Sequence, residues 1–124
     1  MIHMNYSNEL TIESRTLPGV RFTIGRPSFG RRTELMERVR ELGEKLEFLE
    51  AGKSAGERLD AAIVNARIDK VIVCWGLKKI EGLAIDGVDP DGALLTDKGP
   101  DELFREIASA IKAQLGLSEA ERKN

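Results

Sequence analysis

The chain has 124 residues, 19 basic and 21 acidic, with 41% hydrophobic and 32% charged side chains, which suits one folded domain and excludes a chain disordered throughout. Its longest uncharged apolar run, residues 71–77, is far short of the roughly 20 residues that cross a bilayer. The N-terminus has no basic stretch followed by an apolar one, so no membrane span or secretory signal is read and a cytoplasmic setting is expected. One cysteine (Cys74) and one histidine (His3) leave no internal disulfide and no His/Cys metal site, and a Cys–His or Ser–His pair would have to recruit His3 from a terminus expected to be frayed. No catalytic residue, metal or cofactor is therefore expected, and the chain is not read as an enzyme.

In chain order, Leu10, Ile12 and Ser14, then Val20, Phe22 and Ile24, alternate with polar residues around Pro18-Gly19. Period two with a Pro-Gly turn predicts a β-hairpin, and residues 1–8 ahead of it are expected to be flexible. The apolar face of Val20, Phe22 and Ile24 has to meet a helix. Residues 25–30 read as a loop. Leu35, Val39, Leu42, Leu46 and Leu49 then repeat at intervals of 4, 3, 4 and 3, predicting a helix over 33–50 with Thr33 as its cap and Ala51-Gly52 as its end. Gly43 inside it costs on the order of 1 kcal/mol relative to alanine.

Ser54 to Glu57 has capping-box spacing and opens a second helix, taken to about Cys74, with Gly76 as a stop. Its apolar residues, Leu59, Ala62, Ile63 and Ala66, then Ile68, Val71, Ile72 and Trp75, drift around the axis, and Val71 to Trp75 is β-prone in composition. An extended segment over 77–85 ends at the turn Asp86-Gly87, with Gly82 as a candidate bulge. A short helix follows around 93–97. Gly99-Pro100-Asp101-Glu102 then opens a helix with acids in its first turn and Leu103, Ile107, Ile111 and Leu115 as its stripe. Gly116 ends it with Leu117 packing back, and Ser118 to Glu121 is a second capping box. The fold class is α+β: an N-terminal β-hairpin, two central helices, a short extended segment and C-terminal helices, in a single domain over 1–124.

Several motifs dissolve on inspection. Gly25 to Thr33 has the Gly-x4-Gly skeleton of a phosphate loop, but Arg31 replaces the lysine, the hydroxyl is displaced by one position and Pro27 lacks an amide. Asp86, Asp89, Asp91 and Gly92 suggest a calcium loop, yet setting Gly92 at its sixth position puts Gly87 first and Lys98 twelfth, where ligands are required. Both segments read better as ordinary turns. Summed by twenties from residue 21 to 100, the net charge runs +4, −3, +3 and −4. Such blocks suit patches that close on each other within the chain or on copies of it, the second alternative giving a homo-oligomer.

Trp75-Gly76-Leu77, the run from Ile80 to Gly87, the run from Gly99 to Phe104, Glu106-Ile107 and the terminal Leu117 to Asn124 resemble small proteins of tailed bacteriophages and prophages, of the tail assembly chaperone type. The resemblance covers residues 71–124, with lesser similarity over 20–50. It implies a non-enzymatic role in the bacterial host cytoplasm: binding the long, helical tape measure protein and keeping it soluble while the tail tube polymerises. A chain of this length would be the short form of a family that also makes frameshift-extended ones.

The candidate partner-binding residues are Leu35, Val39, Leu42 and Leu46 or Ile107 and Ile111, with Arg31 and Arg32 steering acidic partners. The same apolar residues can equally form the chain's own core. A second reading is a nucleic-acid-binding accessory protein using Arg26, Arg31, Arg32, Arg38 and Arg40, against which stand an isoelectric point near 5.5 and few aromatics. A third, a small enzyme using Glu81, Asp86 and Asp89, requires a pocket of perturbed acids.

Overall fold

A computed structural model describes residues 3–116. Strands β1 (Glu9–Glu13) and β2 (Arg21–Gly25) are followed by helices α1 (Phe29–Glu50) and α2 (Ala55–Gly76). Strand β3 (Leu77–Glu81) and helices α3 (Gly92–Lys98) and α4 (Asp101–Gln114) complete the α+β arrangement. The sheet is antiparallel in the order β1-β2-β3, so the predicted hairpin gains a third strand from the extended segment. Leu77 sits opposite Ile24 and Lys79 opposite Thr23, which leaves Lys78 as the extra residue of a bulge. The bulge is thus at Lys78 and not at Gly82. Gly82 instead has φ +85° just after the strand, and a Cβ there would lie 2.2 Å from the Gly19 carbonyl oxygen.

Helix α1 starts four residues before the predicted position. The Ser28 hydroxyl accepts the Arg31 N–H at 3.2 Å and is the cap, whereas the Thr33 hydroxyl donates back to the Phe29 carbonyl within the helix. Residues 29 and 30 are therefore helical, and the apparent phosphate-loop skeleton is the end of β2 plus the first turn of α1. Helix α2 opens at Ser54 as expected, with the Glu57 N–H bonded to the serine oxygen. The Glu57 carboxylate accepts a hydrogen bond from the serine hydroxyl at 2.8 Å, where a complete capping box would have it accept from the serine N–H. The β-prone residues 71–75 stay helical because packing overrides propensity: Ile72, Val73 and Trp75 are buried in the core. Asp86 (φ 50°) and Gly87 (φ 77°) form the predicted turn between Ile85 and Val88.

The core places Val20, Phe22 and Ile24 of the central strand with Leu103, Ile107 and Ile111 of α4, and with Ile72, Val73 and Trp75 of α2. The α4 stripe is buried from Leu103 to Leu115, as its four-residue spacing requires. Helices α2 and α4 approach closely where Gly76 faces Ile111, and the half-buried ion pair Asp69–Lys112 joins them. Helix α1 packs on α2, and of its five-residue stripe Leu35 is buried in the central core, with Val39 packed against it. The expected back-packing of Leu117 and the capping box at Ser118 to Glu121 lie outside the described residues.

Candidate protein-docking groove

The candidate contact residues separate by depth. Ile107 and Ile111 are fully buried and Leu35 is 5% exposed, so all three are core and present no surface to a partner. Val39, Leu42 and Leu46 are half-buried on the inner stripe of α1, whose neighbour is α2 of the same chain. The structure realises the core alternative for these residues because a closely packed antiparallel helix occupies the face that a partner would need.

The arginines are engaged as well. The Arg31 guanidinium lies 4.7 Å from the Trp75 ring centre, donates to the Trp75 carbonyl at 2.8 Å and pairs with Glu34 at 3.0 Å. Arg32 donates to the Leu115 carbonyl at 2.8 Å, and Arg38 pairs with Glu34 at 2.7 Å. Arg26 donates to the Ser7 carbonyl and stacks over Tyr6. Arg31 ties α1 to α2, and Arg32 ties α1 to the end of α4, both through charge-assisted bonds that satisfy helix-end carbonyls. Four arginines of a basic run that reads in sequence as one patch are thereby given intramolecular tasks, while Arg40 is exposed on α1 with no partner among the described residues, which weakens the run's claim on phosphates.

The acids of the enzyme reading do not converge. Glu81 and Asp89 border one shallow cleft with Lys78 and Lys79, and Asp86 lies outside it. The pKa of Glu81 is held below its ordinary value, first by the Arg21 hydrogen bond at 3.1 Å. That favours its ionised form, the reverse of the shift a general acid requires. Among the described residues no group of three potential ligands gathers for a metal ion, and no helix is long and apolar enough to cross a membrane.

A different surface stands out. On the outward face of α2, Leu59 is 64% exposed and Ile63 44% exposed, with Ala66 exposed beside them. These residues, at intervals of four and three, form a second apolar stripe on a helix whose inner face, Val64, Ile68, Val71 and Trp75, already packs inward. From Ile63 the stripe runs into an open groove of about 570 Å³, whose far wall is Leu95 and Gly99 at α3 and Phe104 on α4. Arg67 and Lys70 stand on the rim with no ion pair among the described residues, while the rim acid Asp101 is neutralised by Arg105 at 2.7 Å. The groove is thus apolar in its floor and positive at its edge. Sequence reading missed it, although the drift of apolar residues around α2 was its signal: a helix apolar on two faces is covered twice or leaves one face bare.

The chain matches no protein-family model, no curated protein and no solved structure.

Proposed function

We propose that the chain is a non-enzymatic binding protein of the tail assembly chaperone type, which takes an amphipathic helical segment of the tape measure protein into the α2–α3–α4 groove and keeps it soluble in the bacterial host cytoplasm. The observation that carries the binding role is the bare apolar stripe Leu59–Ile63–Ala66 leading to Phe104. Residues 59 to 66 span about 10 Å of helix, two turns, the length over which a client helix presents residues i, i+4 and i+7. Burying what remains exposed of Leu59 and Ile63, about half of each side chain, contributes on the order of 1 kcal/mol each, enough for a few contacts to outweigh part of the entropy lost on association. The tail assembly context rests on the resemblance carried by residues 75–77, 80–87, 99–104, 106–107 and 117–124.

The test is co-expression with helical fragments of the tape measure protein. The wild-type chain is expected to keep the fragments soluble and to co-purify with them. Ile63→Asp, which places a charge on the groove floor at an exposed position, is expected to cut binding at least tenfold while leaving the circular dichroism spectrum unchanged. Fragments that stay insoluble beside the wild-type chain and never co-purify would overturn the reading.

A further inference from the structure

Helix α1 carries a stripe that the chain itself leaves unused. Glu37, Glu41, Glu44 and Phe48 follow one another at intervals of 4, 3 and 4, all exposed, with Phe48 at 74%. None of the three glutamates makes an ion pair among the described residues, although Glu34 on the adjoining flank pairs twice. The outward stripe of α2, followed in reverse, is Cys74, Lys70, Arg67 and Ile63, at intervals of 4, 3 and 4. We infer that the occupant of the groove in the free protein is α1 of a second copy, lying antiparallel on α2 with Phe48 against Ile63, Glu44 against Arg67, Glu41 against Lys70 and Glu37 opposite Cys74. This rests on the same groove being a seat for a helix and names its resting partner, which a client would have to displace.

The register is set by charge and by apolar matching together. In this alignment two unpaired acids meet two unpaired bases, and the exposed aromatic ring enters the apolar floor beside Phe104. Sliding by one heptad in one direction puts Glu44 against Asp60 and Glu41 against Ile63, a like-charge contact and a buried carboxylate. Sliding the other way sets Phe48 on Lys70 and leaves Glu41 past the end of α2. A parallel arrangement keeps both ion pairs but presses Glu37 onto Ile63 and aligns the helix dipoles unfavourably. Within each chain α1 and α2 are already antiparallel, so two arms side by side can make the contact twice about a two-fold axis, the commonest closed symmetry.

The native cysteine makes the register testable by one substitution. Under mild oxidation Glu37→Cys is expected to give a disulfide-linked dimer through Cys74 of the other copy, and the product is expected to vanish when Cys74→Ser is added. Light scattering is expected to show the wild-type chain as a dimer. Reversing the rim with R67E and K70E is expected to weaken self-association at least tenfold, and adding E41K and E44K is expected to restore it, with circular dichroism showing each variant folded. A monomeric wild-type chain, a cross-link that survives Cys74→Ser, or cross-linking through Phe48→Cys in place of Glu37→Cys overturns the inference. A monomer that still holds tape measure helices would remove the self-contact alone, whereas a dimer that never binds them would remove the chaperone reading alone.

Discussion

Glu106 on α4 holds the β1–β2 connection. Its carboxylate accepts the Ser14 hydroxyl at 2.6 Å, the Arg15 N–H at 2.7 Å and the Thr16 hydroxyl at 3.0 Å. Partial burial pushes its pKa up, but the Arg15 N–H and the two hydroxyls together pull it further down, so it lies below the ordinary glutamate value. A group depressed by folding adds stability above its unfolded value and loses it as the pH falls through the folded one. Glu106→Gln is accordingly expected to lower stability by about 1 kcal/mol at pH 7, since several bonds to a charged acceptor weaken at a partly solvated site. Urea unfolding of both proteins across pH is expected to show the difference shrinking below about pH 4.5, where the unfolded carboxyl takes up its proton. A difference constant down to pH 2 would contradict this. No local pattern announces the contact, because some 90 residues separate the partners.

The elements were legible where short-range rules act alone. Period two and Pro18-Gly19 define the hairpin, and the acids Asp101 and Glu102 with the four-residue stripe define α4. Legibility failed where the outcome depends on what lies across the fold. The bulge at Lys78 exists only in relation to Thr23 and Ile24, and the start of α1 was misread because Pro27 and Gly30 suggest a loop while Ser28 caps and Gly30 is tolerated in an exposed first turn. The candidate site suffered likewise: the α1 stripe was visible, but nothing in it says that α2 of the same chain covers it. Gly43 illustrates a purely local cost within α1, since a Cβ there would meet no atom within 4 Å. Gly43→Ala is therefore expected to stabilise the protein by roughly 0.5–1 kcal/mol by favouring helix over the unfolded chain, read as a higher urea midpoint with an unchanged slope. A lower midpoint would mean that the position is packed in a way the structure does not show.

At the scale of the whole molecule, the central core gathers β2, β3, α3, α4, the first turns of α1 and the last turns of α2. The remaining turns form an arm in which Leu49 and Val64 are buried but stand outside that central cluster. Stability is then uneven by construction, since the arm opens at the cost of one helix–helix contact and the core only by unfolding. In the monomeric R67E/K70E variant, hydrogen exchange is expected to run at least tenfold faster for amides of residues 42–62 than for those of Ile107 and Ile111. Equal protection would mean that the arm is held by something more than its own two helices.

Trp75 stands at the root of that arm, 5% exposed and covered by the Arg31 guanidinium. It is the chain's single tryptophan. Its indole emission therefore comes from one place, the junction of arm and core. Any event that lifts α1 from α2 there exposes the ring to water and removes the guanidinium stacked on it, so an unlabelled sample carries an optical gauge of that junction.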